Sequence, residues 1–300
     1  MMKKIIFTGI FILLLKISFA CDICGCSSGN YFVGPFPWFH KHFVGIRYTF
    51  RSFHSLVKND ATQFSKDFYQ TTEVWGGWNI GKKWQLLAFL PYNINRQSSD
   101  DGVMKSNAFG DITIIANYNL LSNKTKNKHD GAVSQQLWIG AGLKLPTGKF
   151  SADPDDFIPS ANNQAGTGSV DLLLNAMYSI RINKWGISSN INYKINQDAH
   201  DYQFGNRLNL SAFAFRSLAT PKATFNPNAG LLYENLKANK FGSLKVDDTG
   251  GNALFASAGL ETSFNKIAIG FNTQLPVSQN LSNGQTTARV RGMLHVTYAF

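Results

Sequence analysis

From Phe43 to the last residue, the sequence follows one rule about a dozen times over: every second residue is apolar. The final stretch shows it best. Phe300, Tyr298, Val296, Leu294, Gly292, Val290 and Ala288 fall on one side. Ala299, Thr297, His295, Met293, Arg291 and Arg289 fall on the other. Neighbouring side chains of a strand point to opposite faces, so a period of two means a strand with one oily and one wet side. Val44, Ile46, Tyr48 and Phe50 stand against Arg47, Thr49 and Arg51. Val74, Trp78 and Ile80 stand against Thr71, Glu73 and Asn79. Leu137, Ile139, Ala141, Leu143 and Leu145 stand against Gly140, Gly142 and Lys144. Further segments of this kind carry Asp171, Lys194, Arg207 and Glu261 on the polar side.

A soluble sandwich has no reason to keep one face apolar on every strand and aromatic at the strand ends. A sheet closed on itself in lipid does, because its outside meets hydrocarbon. Trp84, Trp185, Tyr298 and Phe300 fall at one end of their segments, and Tyr92 and Tyr193 toward the other. After the first twenty residues no apolar run approaches the roughly 20 residues a helical span needs. The expected fold is all-β: an antiparallel transmembrane β-barrel of about 12 strands.

The connections support a handed barrel. Gly81-Lys82-Lys83, Asn183-Lys184 and Asn265-Lys266 read as tight turns on one rim, with somewhat longer links at 122–131 and 218–224. The other rim has only longer links, at 55–66, 97–107, 148–166, 197–205, 237–251 and 277–285. Short turns on one side and long loops on the other are the asymmetry of an outer-membrane barrel. An even strand count then puts both termini on the short-turn, periplasmic side.

The formal charge is +11. A basic excess is compatible with nucleic acid, anionic lipid or an anionic solute. The charges are dispersed and no nucleic-acid motif is present, so no nucleic-acid partner is expected.

Residues 1–20 read as a cleavable signal peptide. Lys3 and Lys4 open it, an apolar core follows, and Ser18-Phe19-Ala20 is a small-x-small cleavage site. Residues 21–41 form a Cys- and aromatic-rich stretch, expected as a periplasmic segment or a plug at or inside the barrel mouth. It holds Cys21, Cys24 and Cys26, every cysteine of the chain. Three readings stand side by side. Clustered thiolates favour copper or zinc, with His40 and His42 as added ligands. Cys21, at the new terminus, is a lipidation candidate. A Cys21–Cys24 disulfide with a spare thiol suits an oxidising compartment. Two prolines and three aromatics in Gly34–Phe39 exclude a sheet interior there. The barrel proper is expected over 42–300.

Parity turns Arg47, Arg51, Glu73, Lys144, Asp171, Lys194, Arg207, Arg289 and Arg291 inward. The last strand has to close against the first, which sets Arg51 beside Arg289 and Arg291. The set reads either as a basic constriction that favours anions or as an ion network that fills the lumen. Asp153, Asp155 and Asp156, in the longest loop, read as a solvated acidic cluster or a divalent-cation site. Leu281-Ser282-Asn283-Gly284 superficially resembles the site of an outer-membrane phospholipase. However, Asn-Gly is first a turn signal, and the inward His295 lies well away in sequence.

Two resemblances complete the reading. A last strand ending on Tyr298 and Phe300 resembles the assembly signal of Gram-negative outer-membrane barrels. It implies the outer-membrane lipids and the barrel-assembly machinery as partners. Phe109-Gly110-Asp111, Leu143-Lys144-Leu145-Pro146-Thr147-Gly148 and Gly166-Thr167-Gly168-Ser169-Val170-Asp171 together resemble the barrel family named for the MetA pathway of phenol degradation, over roughly 44–300. That resemblance implies a porin-like channel or transporter for small solutes (hydrophobic compounds, anions or metal ions) and no enzymatic activity. The alternatives are a non-conducting barrel that displays the cysteine segment, and an outer-membrane lipid hydrolase.

Overall fold

A computed structural model describes residues 41–57, 60–99, 102–127, 131–151 and 163–300. Cys21, Cys24, Cys26, His40 and the acidic cluster at 153–156 lie outside them. Among the described residues twelve antiparallel strands close a barrel. They are β1 (Phe43–Val57), β2 (Asp60–Ile80), β3 (Trp84–Ser99), β4 (Ile112–Asn127), β5 (Gly131–Leu145) and β6 (Asp171–Ile182). The second half comprises β7 (Trp185–Ile195), β8 (Arg207–Arg216), β9 (Thr224–Leu236), β10 (Gly251–Phe264), β11 (Ile267–Leu281) and β12 (Thr286–Ala299). Each strand pairs with its neighbours in sequence, and β12 closes on β1 from Phe43↔Ala299 to Ser55↔Thr286.

The alternation in the sequence becomes the two faces of this wall. Val44, Ile46, Val74, Trp78, Leu86 and Ile191 point outward and are 39–57% exposed. The next residues along, such as Trp75, Leu87, Glu73 and Asn117, are buried inside. An apolar exterior around a partly polar interior inverts a soluble protein and matches a lipid solvent. At the turn rim Trp84, Trp185, Tyr298 and Phe300 are 45–60% exposed. Lys83, Arg216 and Lys266 lie over the rings of Tyr118, Trp185 and Tyr298 at 5.6, 5.2 and 5.9 Å. Aromatics capped by cations mark the depth where hydrocarbon gives way to headgroups.

The tight turns form where they were expected, each on a residue with positive φ: Gly81 (63°), Asn183 (54°) and Asn265 (50°). The other rim differs from expectation. The links expected at 55–66, 97–107 and 277–285 are largely strand. β1 and β2 stay paired past Leu56↔Phe64, and Gly102–Phe109 folds back on the far half of β3. Their polar side chains read as loop, but a ladder needs only backbone partners and continues beyond the apolar belt. Above β7 and β9 the chain folds into a small sheet of four two-residue strands. Tyr202, in one of these strands, clusters with Phe204, Phe150 and Val246.

Candidate functional site in the barrel interior

The interior is built in layers. Near the loop end, three separate stretches meet around Lys144. Its Nζ donates to Asp111 Oδ2 at 2.6 Å and to the Ser169 carbonyl at 3.0 Å. It also bonds Thr167 Oγ1 and lies 3.0 Å from Asp171 Oδ2. Asp111 accepts from the amides of Gly148 and Thr167, both at 2.9 Å. Asp171 accepts from Ser169 Oγ at 2.7 Å and from the Gln197 amide at 3.1 Å, with Lys194 Nζ 3.8 Å away. Gly110, Gly148 and Gly166 pack backbone on backbone. A Cβ on Gly148 would lie 2.8 Å from Gly110 C and 2.9 Å from Gly166 Cα. Asn93 and Asn95 on β3 donate to the carbonyls of Ala165 and Asn163. These contacts fold the ends of the longest loop inward over the lumen.

A second rung of charge crosses β2, β1, β12, β11 and β10. Arg47 bonds Glu73 and lies over the rings of Trp75 (5.1 Å) and Phe89 (5.7 Å). His295 Nε2 donates to Glu261 Oε2 at 2.9 Å. Nearer the loops, Arg291 donates to Glu234 at 2.8 Å and lies 3.9 Å over Phe255. Arg51 and Arg207 also act on the Glu234 carboxylate.

The third feature is a run of amides in register: Asn79, Gln85, Asn117, then Gly140, Asn175, Asn192, Asn209 and finally Glu234. Strands in a barrel tilt, so a line of paired residues climbs as it goes round. This one starts beside the turn at 81–83 and ends at the Glu234–Arg291 pair. Across it lies an apolar cluster that includes Phe43, Trp75, Leu87, Phe89, Ile115, Trp138, Leu173 and Met177. At the turn rim, a cavity of about 950 Å³ is lined by His42, Asn79, Lys82, Lys83, Asn119 and Trp138, among others.

The family model described as "Putative MetA-pathway of phenol degradation" matches residues 46–291. The chain belongs to this family. The three stretches that carried the family resemblance are the ones that meet at Lys144. No curated protein sequence matches the chain. Among solved structures, an outer-membrane channel from Pseudomonas putida F1 is similar, with a TM-score of 0.61 at 15% identity. The match covers 91% of this chain and 99% of that one. The β domain of the Bordetella autotransporter BrkA follows at 0.51 and 11%, covering 87% and 100%. At such identities the likeness is one of fold: that of an outer-membrane barrel.

Within this family member, Arg47, Arg51, Glu73, Lys144, Asp171, Lys194, Arg207 and Arg291 all lie buried inside the barrel. Arg289 does not. A bulge sets Arg289 and Val290 together opposite Ser52, so Arg51 pairs with Arg291 and Phe53 with Ala288. The extra residue reverses the parity beyond it. Arg289 and Val290 are both exposed, and Ala288 turns inward. The bulge was not legible because alternation alone cannot reveal one inserted residue.

His42 sits at the turn rim between Trp78 and Phe300, at ring distances of 4.4 and 5.8 Å. Its Nδ1 accepts the Asn79 amide at 3.1 Å. Tyr298 and Phe300 stack at 6.3 Å, and the Phe300 amide donates to the His42 carbonyl. Ser282 lies in a short turn after β11, near the Leu281↔Thr286 pair. His295 is nine residues further along β12, roughly 30 Å at strand rise. The two are not a nucleophile and its base.

Proposed function

We propose that this chain is an outer-membrane channel for small solutes, apolar ones among them, with both termini in the periplasm. The observation that carries the reading is the amide run from Asn79 to Glu234. It gives a barrel with a lipid-facing exterior a polar track from one mouth toward the other. The apolar cluster beside that track gives the same lumen a hydrocarbon wall. Family membership and the fold shared with an outer-membrane channel support the assignment. The test is expression in a porin-deficient Gram-negative strain: entry of small solutes across the outer membrane should rise over a strain carrying the empty vector. Unchanged entry would count against it.

Anion selectivity is not favoured. Among the described residues Arg47, Arg51, Lys144, Lys194, Arg207 and Arg291 are buried, and so are Asp67, Glu73, Asp111, Asp171, Glu234 and Glu261. Six cations balance six acids. This supports the ion-network reading of the inward charges.

The cysteines are a separate proposal. Reduced mature protein is expected to bind about one copper(I) or zinc ion through Cys21, Cys24 and Cys26, with His40 and His42 as the candidate added ligands. A Cys24→Ser, Cys26→Ser double change should abolish that binding. Native mass spectrometry decides it. A diacylglycerol adduct on Cys21, or a stable Cys21–Cys24 bridge without metal uptake, would overturn it.

A further inference from the structure

β4 and β5 run past their neighbours at the turn rim, and unequally. On one side β5 pairs with β6 as far as Val133↔Ile182, and the Asn183 amide then reaches the Ala132 carbonyl. On the other side β3 begins at Trp84, opposite Tyr118, and the last bond across runs from the Asn119 amide to the Lys83 carbonyl. Beyond that bond β4 continues to Asn127, paired with β5 alone. Residues 120–127 therefore carry a strand edge with no partner strand among the described residues. A stretch of that length reaches about 26 Å at strand rise. Trp84 and Tyr118, their rings 4.9 Å apart, belong to the aromatic belt, so the edge stands in water beyond it. Ser122, Asn123, Lys124 and Thr125 are exposed in succession.

Unpaired N–H and C=O groups along an edge are a template for another strand. This edge opens on the turn-rim cavity of about 950 Å³. Leu120, Ser122 and Lys124 line that cavity, with Trp138 from the barrel interior and Lys82 and Lys83 from the turn. A strand added at the edge would lie in the column where β3 stops, its end against Lys82 and Lys83 and its flank beside Lys124. All three lysines are exposed and form no ion pair among the described residues. No acidic side chain lines the cavity with them. Two occupants fit poorly. A second copy of the chain would set two basic edges side by side, and like charges across a strand pair repel. Residues 21–40 hold one acid, Asp22, and Pro35 and Pro37 have no N–H for a ladder. The charge of the site requires carboxylates, and its backbone requires an extended chain.

We propose that the free edge at 120–127 docks an acidic, extended segment of a periplasmic protein. The segment adds as a strand in line with β3 and places carboxylates on Lys82, Lys83 and Lys124. This rests on the periplasmic placement of the rim proposed above and adds a partner of stated chemistry.

Binding is measured by fluorescence anisotropy on the full mature chain in nanodiscs of zwitterionic lipid. The probes are a labelled peptide alternating glutamate with valine, its glutamine counterpart, and the glutamate peptide with a fully N-methylated backbone. The glutamate peptide should bind about tenfold more tightly than the glutamine one at low salt, and the gap should narrow as salt rises. The N-methylated peptide, which cannot donate to a ladder, should not bind. A Lys82→Gln, Lys83→Gln, Lys124→Gln triple variant should bind the two unmethylated peptides equally. Amide hydrogen exchange on the wild type gives a readout that needs no variant: 120–127 should slow when the glutamate peptide is added. Equal binding of the glutamate and glutamine peptides to the wild type would overturn the proposal, and so would binding that leaves exchange at 120–127 unchanged. Exchange already slow there without peptide would assign the edge to residues 21–40 and overturn it too. Labelling of a Thr125→Cys variant above wild type, by an impermeant thiol reagent on intact cells, would sink the periplasmic placement and leave the peptide edge standing.

Discussion

His295 donates from Nε2 to Glu261 Oε2 across the intervening strand, and the bond exists because residue 270 is glycine. The two side chains meet at 2.9 Å, and a Cβ on Gly270 would fall 2.1 Å from each of those atoms. One missing methyl group thus permits the ion rung that continues through Arg47 and Glu73. Gly270→Ala should force the pair apart and destabilise the barrel by about 1–3 kcal/mol, as overpacking does. Thermal unfolding in detergent, read by the heat-modifiable shift on gels, checks this. A wild-type transition would mean that the pair moves aside at no cost.

The contacts around Lys144 give a second prediction. Asp111→Asn removes one of the two carboxylates that neutralise a cation at 1% exposure. Breaking a buried pair costs about 3–5 kcal/mol, and Asp171 should hold the loss near the lower end. The Gly148 and Thr167 amides also lose a charged acceptor, so the loop ends should loosen. Urea unfolding measures the first effect. Faster proteolytic cutting between 148 and 166 measures the second. Unchanged cutting would mean that Asn93 and Asn95 alone hold the loop.

Arg289 and Arg291 should separate cleanly. Arg291→Gln leaves Glu234 with a weaker partner deep in the barrel and should shift the reversal potential in a salt gradient toward cations. Arg289→Gln, on the outside of the bulge, should not change it. Equal shifts from both would contradict the observed parity.

Phe300 binds the start of β1 through its amide and meets Trp78 and Tyr298 through its ring. Deleting it should slow assembly into heat-modifiable barrel in cells. Assembly at the wild-type rate would remove the terminal aromatic as the recognition element.

What was legible in the sequence follows from what alternation encodes. Period two gave the strand number, the outward belt and the inward charges from Arg47 to Arg291, because lipid outside and polar groups inside impose opposite chemistry on neighbouring residues. It said nothing about depth along the barrel. That is why the meeting of Asp111, Lys144, Thr167 and Asp171 had to be seen in three dimensions. The glycines at 110, 148 and 166 were the available signal, since close backbone approach demands them. Alternation also failed where one residue was inserted, at Arg289, and where polar strands resemble loops, at 55–66 and 97–107. The apolar cluster inside the barrel was hidden for another reason: Trp75, Leu87, Phe89 and Trp138 sit at inward positions where the pattern leads one to expect polar residues.

Trp138 lines the turn-rim cavity and points inward one layer from the amide run at Gly140, so conduction should depend on it. Planar-bilayer recording of the purified full chain, wild type against Trp138→Ala, is the most direct test that the lumen is a path. Discrete, small unitary currents are expected in the wild type, because an apolar layer resists wetting by ions, and clearly larger unitary currents in the variant. Absence of any current in both, from protein shown to be folded, would contradict a solute path through this barrel.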